Sequence, residues 1–207
     1  KQFHYDFGLR ALKSVLVMAG SLKRATPEFG EDLVLMRALR DMNLPKFVFD
    51  DVPLFLGLIG DLFPGMDCPR VLQEELGAAI KQDLEAHGYK HDDDGVFAVQ
   101  VDKIVQLFEV MATRHTTMVV GPTQGGKSVV INTLARANNI AFQKPTKLFV
   151  INSKSIHISE LYGHLDPVTR DWTDGLLSRM YRDLNQKPKV YENRYIVFDG
   201  DVDALWV

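Results

Sequence analysis

Gly121-Pro-Thr-Gln-Gly-Gly-Lys127-Ser128 fits the pattern G-x-x-x-x-G-K-[ST], and the chain on either side of it fits as well. Thr116-Thr-Met-Val-Val120 before it is short, apolar and β-branched, which predicts a buried parallel strand. Ser128 to Ala137 after it predicts a helix with Val130, Ile131, Leu134 and Ala135 on one face. Strand, glycine loop and helix start are what phosphate binding requires. Glycines let the backbone curl until successive N–H groups face an anion, and the helix N-terminus adds positive partial charge. The candidate nucleotide-binding residues are therefore Gly121, Pro122, Thr123, Gln124, Gly125, Gly126, Lys127 and Ser128. Lys127 would reach the β- and γ-phosphates of a nucleoside triphosphate, and the Ser128 hydroxyl would ligate Mg²⁺.

Outward from the loop, residues 96–207 alternate helix and strand. A helix over Val101 to Thr113 leads into the Thr116 run, and Lys147-Leu-Phe-Val-Ile151 predicts a second buried strand. Gly163 to Trp172 is a polar, turn-rich excursion. Trp172 to Leu184 predicts a further helix and Tyr195-Ile-Val-Phe-Asp199 a third strand. Such alternation implies an α/β domain on a parallel sheet, the architecture of a P-loop NTPase large subdomain. Asp199, ending its strand, is the expected second Mg²⁺ group. In ATPases of this type a Glu follows and polarises the attacking water. Here Gly200 follows, and glycine has no side chain to act as a base. Asp201 and Asp203 are near in sequence but would point elsewhere. These residues predict a site that holds ATP or ADP and cleaves ATP poorly.

Residues 1–88 predict an all-helical region, and residues 89–207 the α/β region. Phe7, Leu9, Leu12, Val15, Leu16, Ala19 and Leu22 mark a first helix ending near Gly20 to Arg24. A second follows Gly30 and stops at Asn43-Leu-Pro45. A third opens at Asp50-Asp51-Val52-Pro53, where Asp can cap and Pro suits the first turn, and ends at Pro64-Gly65. The fourth runs from about Arg70 to Ala86. Tyr89 to Gly95 predicts a charged loop without the ligand spacing of a calcium-binding EF-hand.

The net charge of −3 argues against nucleic-acid binding, which calls for a basic face. No apolar run reaches transmembrane length, so no membrane partner is expected. Cys68 is the single cysteine, which excludes an internal disulfide and suits a reducing compartment. His4, His87, His91, His115, His157 and His164 show no metal-ligand spacing. Lys1-Gln-Phe-His-Tyr5 and Asp203-Ala-Leu-Trp-Val207 both read as cut ends, so a slice of a larger chain is expected.

Taken together, these motifs resemble the AAA+ ring of the dynein heavy chain. His4 to Leu16 is similar to the lid helix closing the first AAA+ module, and Asp51 to Gly65 to the segment joining first and second modules. The phosphate loop, Leu161-Tyr-Gly-His-Leu-Asp166, Asp171-Trp-Thr-Asp-Gly175 and Phe198-Asp-Gly-Asp-Val-Asp203 are similar to the second module's large subdomain. The resemblance implies a helical lid subdomain followed by an incomplete large subdomain. It also implies a second module that binds ATP without turning it over. Arg10 would be the lid arginine that senses the γ-phosphate of the preceding, hydrolytic module. Gly163 to Trp172 would be an insert facing the mechanical linker. The implied partners are the other AAA+ modules and linker of the same chain, dynein intermediate and light chains, and a microtubule bound through other regions. Gln124 with Gly125-Gly126 is closer to ciliary than to cytoplasmic dyneins, which implies an axonemal location, with cytoplasm as the alternative.

Two other readings compete. An autonomous P-loop kinase would need an acceptor site that the sequence does not display. A remodelling AAA+ ATPase of the midasin type would share the modules but lack a coiled-coil stalk downstream. In the AAA+ strand order, the strand between the Thr116 and Asp199 strands comes later in the chain, so residues 1–207 are not expected to fold alone.

Overall fold

A computed structural model of the chain describes residues 2–3, 5, 7–66, 74–89, 96–187, 190–202 and 205–206. His4, Cys68, His91, Asp203, the helix start at Arg70 and most of the Tyr89–Gly95 stretch lie outside the described residues. The chain forms two compact units, Lys1–Ala137 and Asn138–Val207.

The first unit is helical: α1 (Leu9–Ala25), α2 (Glu31–Asn43), α3 (Val52–Leu62), α4 (Glu74–Ala86), α5 (Val96–Thr113) and the first part of α6 (Lys127–Phe142). Val15 of α1 packs with Ala38 and Met42 of α2, flanked by Met18, Ala19, Leu22 and Leu39. These are the i, i+3, i+4 positions that the periodicity selects. Helix α5 packs against α2 and α4. Leu76, Ile80 and Leu84 of α4, Ile104 and Val105 of α5, and Leu134 of α6 are all buried. Each such Leu or Ile contributes about 1.5–3 kcal/mol of transfer free energy. Helices α5 and α6 each extend five residues past the predicted limit. In α6 the extension starts at Asn138, which is buried beside fully buried Ala137, so packing overrides asparagine's weak propensity.

Asp51 does not cap α3. It has helical φ −88° and ψ −12°, not the extended backbone of an N-cap, and no side-chain cap bond forms. Its Oδ2 instead accepts the Tyr5 hydroxyl at 2.6 Å, while Tyr5 Oη accepts the Val48 N–H at 2.9 Å. Pro53 does occupy the first turn. Tyr5 is edge-on to Phe47, which stacks on Phe55 at 4.6 Å between ring centroids, so the segment before α1 is tied to α3.

Thr116–Val120 is not a strand. Exposure alternates along it, with Met118 71% and Val120 88% exposed and Val119 half-buried, but it belongs to no ladder among the described residues. β-Branched composition favours an extended backbone; a strand also needs a neighbour to exchange N–H···O=C bonds.

The second unit is α/β. β1 (Thr146–Ile151) and β4 (Asn193–Phe198) form a parallel ladder in which Thr146 faces Asn193 and Ile151 faces Phe198. The parallel pairing and the helical first part bear out the fold class. Between the two strands lie α7 (Ile158–Leu161), an antiparallel pair of β2 (Gly163–Leu165) and β3 (Trp172–Asp174), and α8 (Leu176–Leu184). Trp172 therefore belongs to a hairpin, not to the helix predicted over Trp172 to Leu184. It pairs with Leu165, and Gly175 in extended conformation separates it from α8. At the tip, Asp166 Oδ1 accepts the Val168 and Thr169 N–H groups at 2.8 and 2.9 Å. Those backbone donors hold its carboxyl below the usual carboxylate range.

Candidate phosphate-binding site

The loop of Gly121 to Ser128 curls through two left-handed residues, Gln124 at φ 64° and Gly126 at φ 78°. Gly125 N–H donates to Pro122 O at 3.1 Å, closing the turn. A Cβ on Gly125 would stand 3.0 Å from that same carbonyl oxygen, which explains the absence of a side chain there. Helix α6 begins at Lys127, and its first bond runs from Val130 N–H to Gly126 O at 3.0 Å. The amides of Lys127 and Ser128 therefore precede the helical ladder and are available to an anion. Lys127 Nζ donates to Gly121 O at 3.0 Å and Pro122 O at 2.7 Å, placing the ammonium over the loop. Loop, lysine and helix start are thus contiguous, with the helix opening one residue before the predicted Ser128.

Helix α6 is anchored by a pair that the sequence reading missed. Arg136 Nε donates to both carboxylate oxygens of Asp83 on α4, at 2.8 and 3.0 Å, and Asp83 is buried. His87 Nδ1 stands 3.5 Å from the same carboxylate. The two partners are separated by 53 positions in sequence, so no local pattern could reveal them. Arg10 is exposed on the first turn of α1.

In the second unit, Asp199 N–H donates to Ile151 O at 2.9 Å, continuing the β1–β4 ladder by one bond. Its side chain is thereby set at the carboxyl ends of two parallel strands, where open α/β sheets present ligand-binding groups. Gly200 has φ 152°, a conformation that L side chains rarely adopt. Asn152 Oδ1 lies 3.7 Å from where its Cβ would be. Asp201 Oδ2 accepts Lys154 Nζ at 3.0 Å. That carboxylate is engaged with a cation on the segment after β1.

A glycine loop feeding lysine and serine into a helix, with helices before it and a parallel α/β layer after it, defines a P-loop nucleotide-binding protein of the AAA+ type. Sequence comparison narrows the class. The family model described as the hydrolytic ATP binding site of dynein motor region matches residues 1–128, and the chain belongs to that dynein motor family. It is 64% identical to human Dynein axonemal heavy chain 10 over 207 residues, all of this chain and 4% of the relative. It is 65% identical to Dynein-1-alpha heavy chain, flagellar inner arm I1 complex, of Chlamydomonas reinhardtii, again over 4% of that protein. A Dynein beta chain, ciliary, from Tripneustes gratilla is 46% identical. The chain spans about 4% of the length of these relatives. These matches leave the midasin-type reading without support. Among the described residues, no helix is long and apolar enough to cross a membrane.

Proposed function

We propose that this chain is part of the AAA+ ring of an axonemal dynein, an ATP-hydrolysing microtubule motor. In this reading residues 1–88 are the lid of one module and residues 89–207 the start of the next module's large subdomain. The loop Gly121–Ser128 holds ATP or ADP. The observation that carries this reading is the placement of Lys127 and Ser128 at the first turn of α6 behind a left-handed Gly126. Backbone amides bind the phosphates, and the Lys127 ammonium neutralises them. The Ser128 hydroxyl and the Asp199 carboxylate are both hard oxygen donors, a set that suits Mg²⁺. Mg²⁺ held there would supply charge neutralisation to the phosphates. Gly200 supplies no base, so nucleotide here is a structural or regulatory ligand, and ring turnover rests with the preceding module.

The ring's other modules and linker, intermediate and light chains, and a microtubule bound outside this segment are the partners in this reading. The names of the relatives support a cilium or flagellum as its location. The β2–β3 hairpin, with Val168 87% exposed at its tip, is the surface offered to the linker.

Removing one charge-assisted contact costs about 1.5–3 kcal/mol, so Lys127→Ala in the full motor should lower affinity at this site about ten- to hundredfold. Equal nucleotide content in wild type and variant would refute the assignment. Arg10, exposed on α1, serves the preceding module's nucleotide. Arg10→Ala should therefore cut overall ATP turnover while nucleotide at the Lys127 site stays bound. Unchanged turnover would make Arg10 an ordinary surface residue.

A further inference from the structure

The three loop glycines face different surroundings. A Cβ on Gly121 would meet Lys127 Cγ at 3.8 Å, and one on Gly125 would meet Pro122 O at 3.0 Å, so both point at the loop's own atoms. The surroundings of Gly126 differ. Apart from its chain neighbours and its own helix backbone, a single described atom lies within 4 Å of its Cβ position: Gln100 Nε2, at 3.5 Å. That spacing is ordinary van der Waals contact, so Gln100 does not itself forbid a side chain at 126. The left-handed φ of 78° and the need for an anion to approach bare backbone both favour glycine there. Gln100 thus brings a carboxamide against the loop at Gly126. It is delivered from the first half of α5, and Gln100 is half-buried, its head placed by the helix.

We propose that Gln100 is a nucleotide-binding residue of the Lys127 site, its carboxamide N–H donating to a phosphate oxygen seated against Gly126. This rests on the reading of Gly121–Ser128 as the phosphate loop. A neutral amide is well suited to the position: it donates to the oxyanion without adding a second cation beside Lys127. Anchored on α5, Gln100 also connects the bound phosphate to the helix that packs on α2 and α4.

The test is equilibrium binding of radiolabelled ADP to the full heavy-chain motor, reading the component that Lys127→Ala removes. Gln100→Met keeps length and helix propensity but deletes the amide, and should weaken that component about tenfold, the loss of one hydrogen bond to a charged group. Gln100→Glu keeps shape and places a carboxylate against phosphate, and should weaken it by about a further tenfold through like-charge repulsion. Full retention in both variants overturns the inference and leaves the Lys127 assignment standing. Equal losses in Met and Glu variants also overturn it, since a side chain that merely props the loop would not sense charge. A wild-type motor with no Lys127-dependent component would instead refute the phosphate-loop reading itself.

Discussion

The phosphate loop lies in the first unit and the end of β4 in the second, and the two differ in how their residues are engaged. At the loop, Gly125 clears Pro122 O, Gly126 turns left-handed, and Lys127 opens a helix. Helix α6 is held from behind by buried Asp83 through Arg136. At the strand end, Asp199 is set by a ladder bond, but the next position is a glycine at φ 152°, and Asp201 is occupied by Lys154. In the proposed reading, binding is kept while cleavage is lost, because the two draw on different atoms. Backbone amides and one lysine would hold phosphate, whereas hydrolysis needs a base within reach of a water.

The largest expected effect tests that contrast directly. General-base assistance contributes about 10²–10⁴-fold in rate, so ATP at the Lys127 site should persist through many cycles of the preceding module. Blocking hydrolysis in that module and following ATP here over minutes measures it; turnover at ordinary AAA+ rates would break the comparison. Gly200→Glu sharpens it. An L residue at such a φ costs about 1–3 kcal/mol of strain, so the new carboxylate should recover less than about 10²-fold in rate. Full recovery would show that the missing side chain is the sole defect of the strand end.

The same contrast governs what could be read from the chain alone. The turn of the loop is legible from its glycines, because they answer to local backbone geometry and not to distant neighbours. β1 and β4 were legible from their apolar, β-branched runs, and their parallel pairing from the helices between them. The Gly163–Trp172 excursion is legible only as polar: a hairpin of three-residue strands is too short to show a period of two, so the sequence pattern places Trp172 in the following helix. Thr116–Val120 reads as a strand by composition and fails to be one for want of a ladder partner, a condition set outside the run itself. Asp51 looked like a cap until Tyr5, 46 positions away, took its carboxylate. Gln100 beside Gly126 and Asp83 beside Arg136 are likewise tertiary facts, and no spacing rule could have found them.

An intermediate effect is expected at the anchor of α6. Arg136→Ala strands a buried carboxylate with only partly exposed His87 beside it. Because Arg136 itself reaches solvent, the cost should be about 1–3 kcal/mol of stability, less than for a fully buried pair. Thermal or denaturant unfolding of the motor with and without nucleotide would register it. A loss confined to the nucleotide-bound state would make Asp83–Arg136 a device for sensing the loop; an equal loss in both states makes it a plain structural tie.

The smallest effect belongs to the strand end. Lys154→Ala releases Asp201, the one described carboxylate beyond Asp199 with any claim to act as a base. The pair is exposed, Lys154 45% and Asp201 87%, so breaking it should change stability by no more than about 0.5 kcal/mol. Hydrolysis should also stay where it was. Releasing Asp201 removes its partner but gives it no fixed position near a water, and effective catalysis depends on a base held within hydrogen-bond reach. A measurable rise in ATP turnover at the Lys127 site on Lys154→Ala would mean that Lys154 restrains a working base. The glycine at 200 would then mark a cleavage function held in check, and the contrast between loop and strand end would fail.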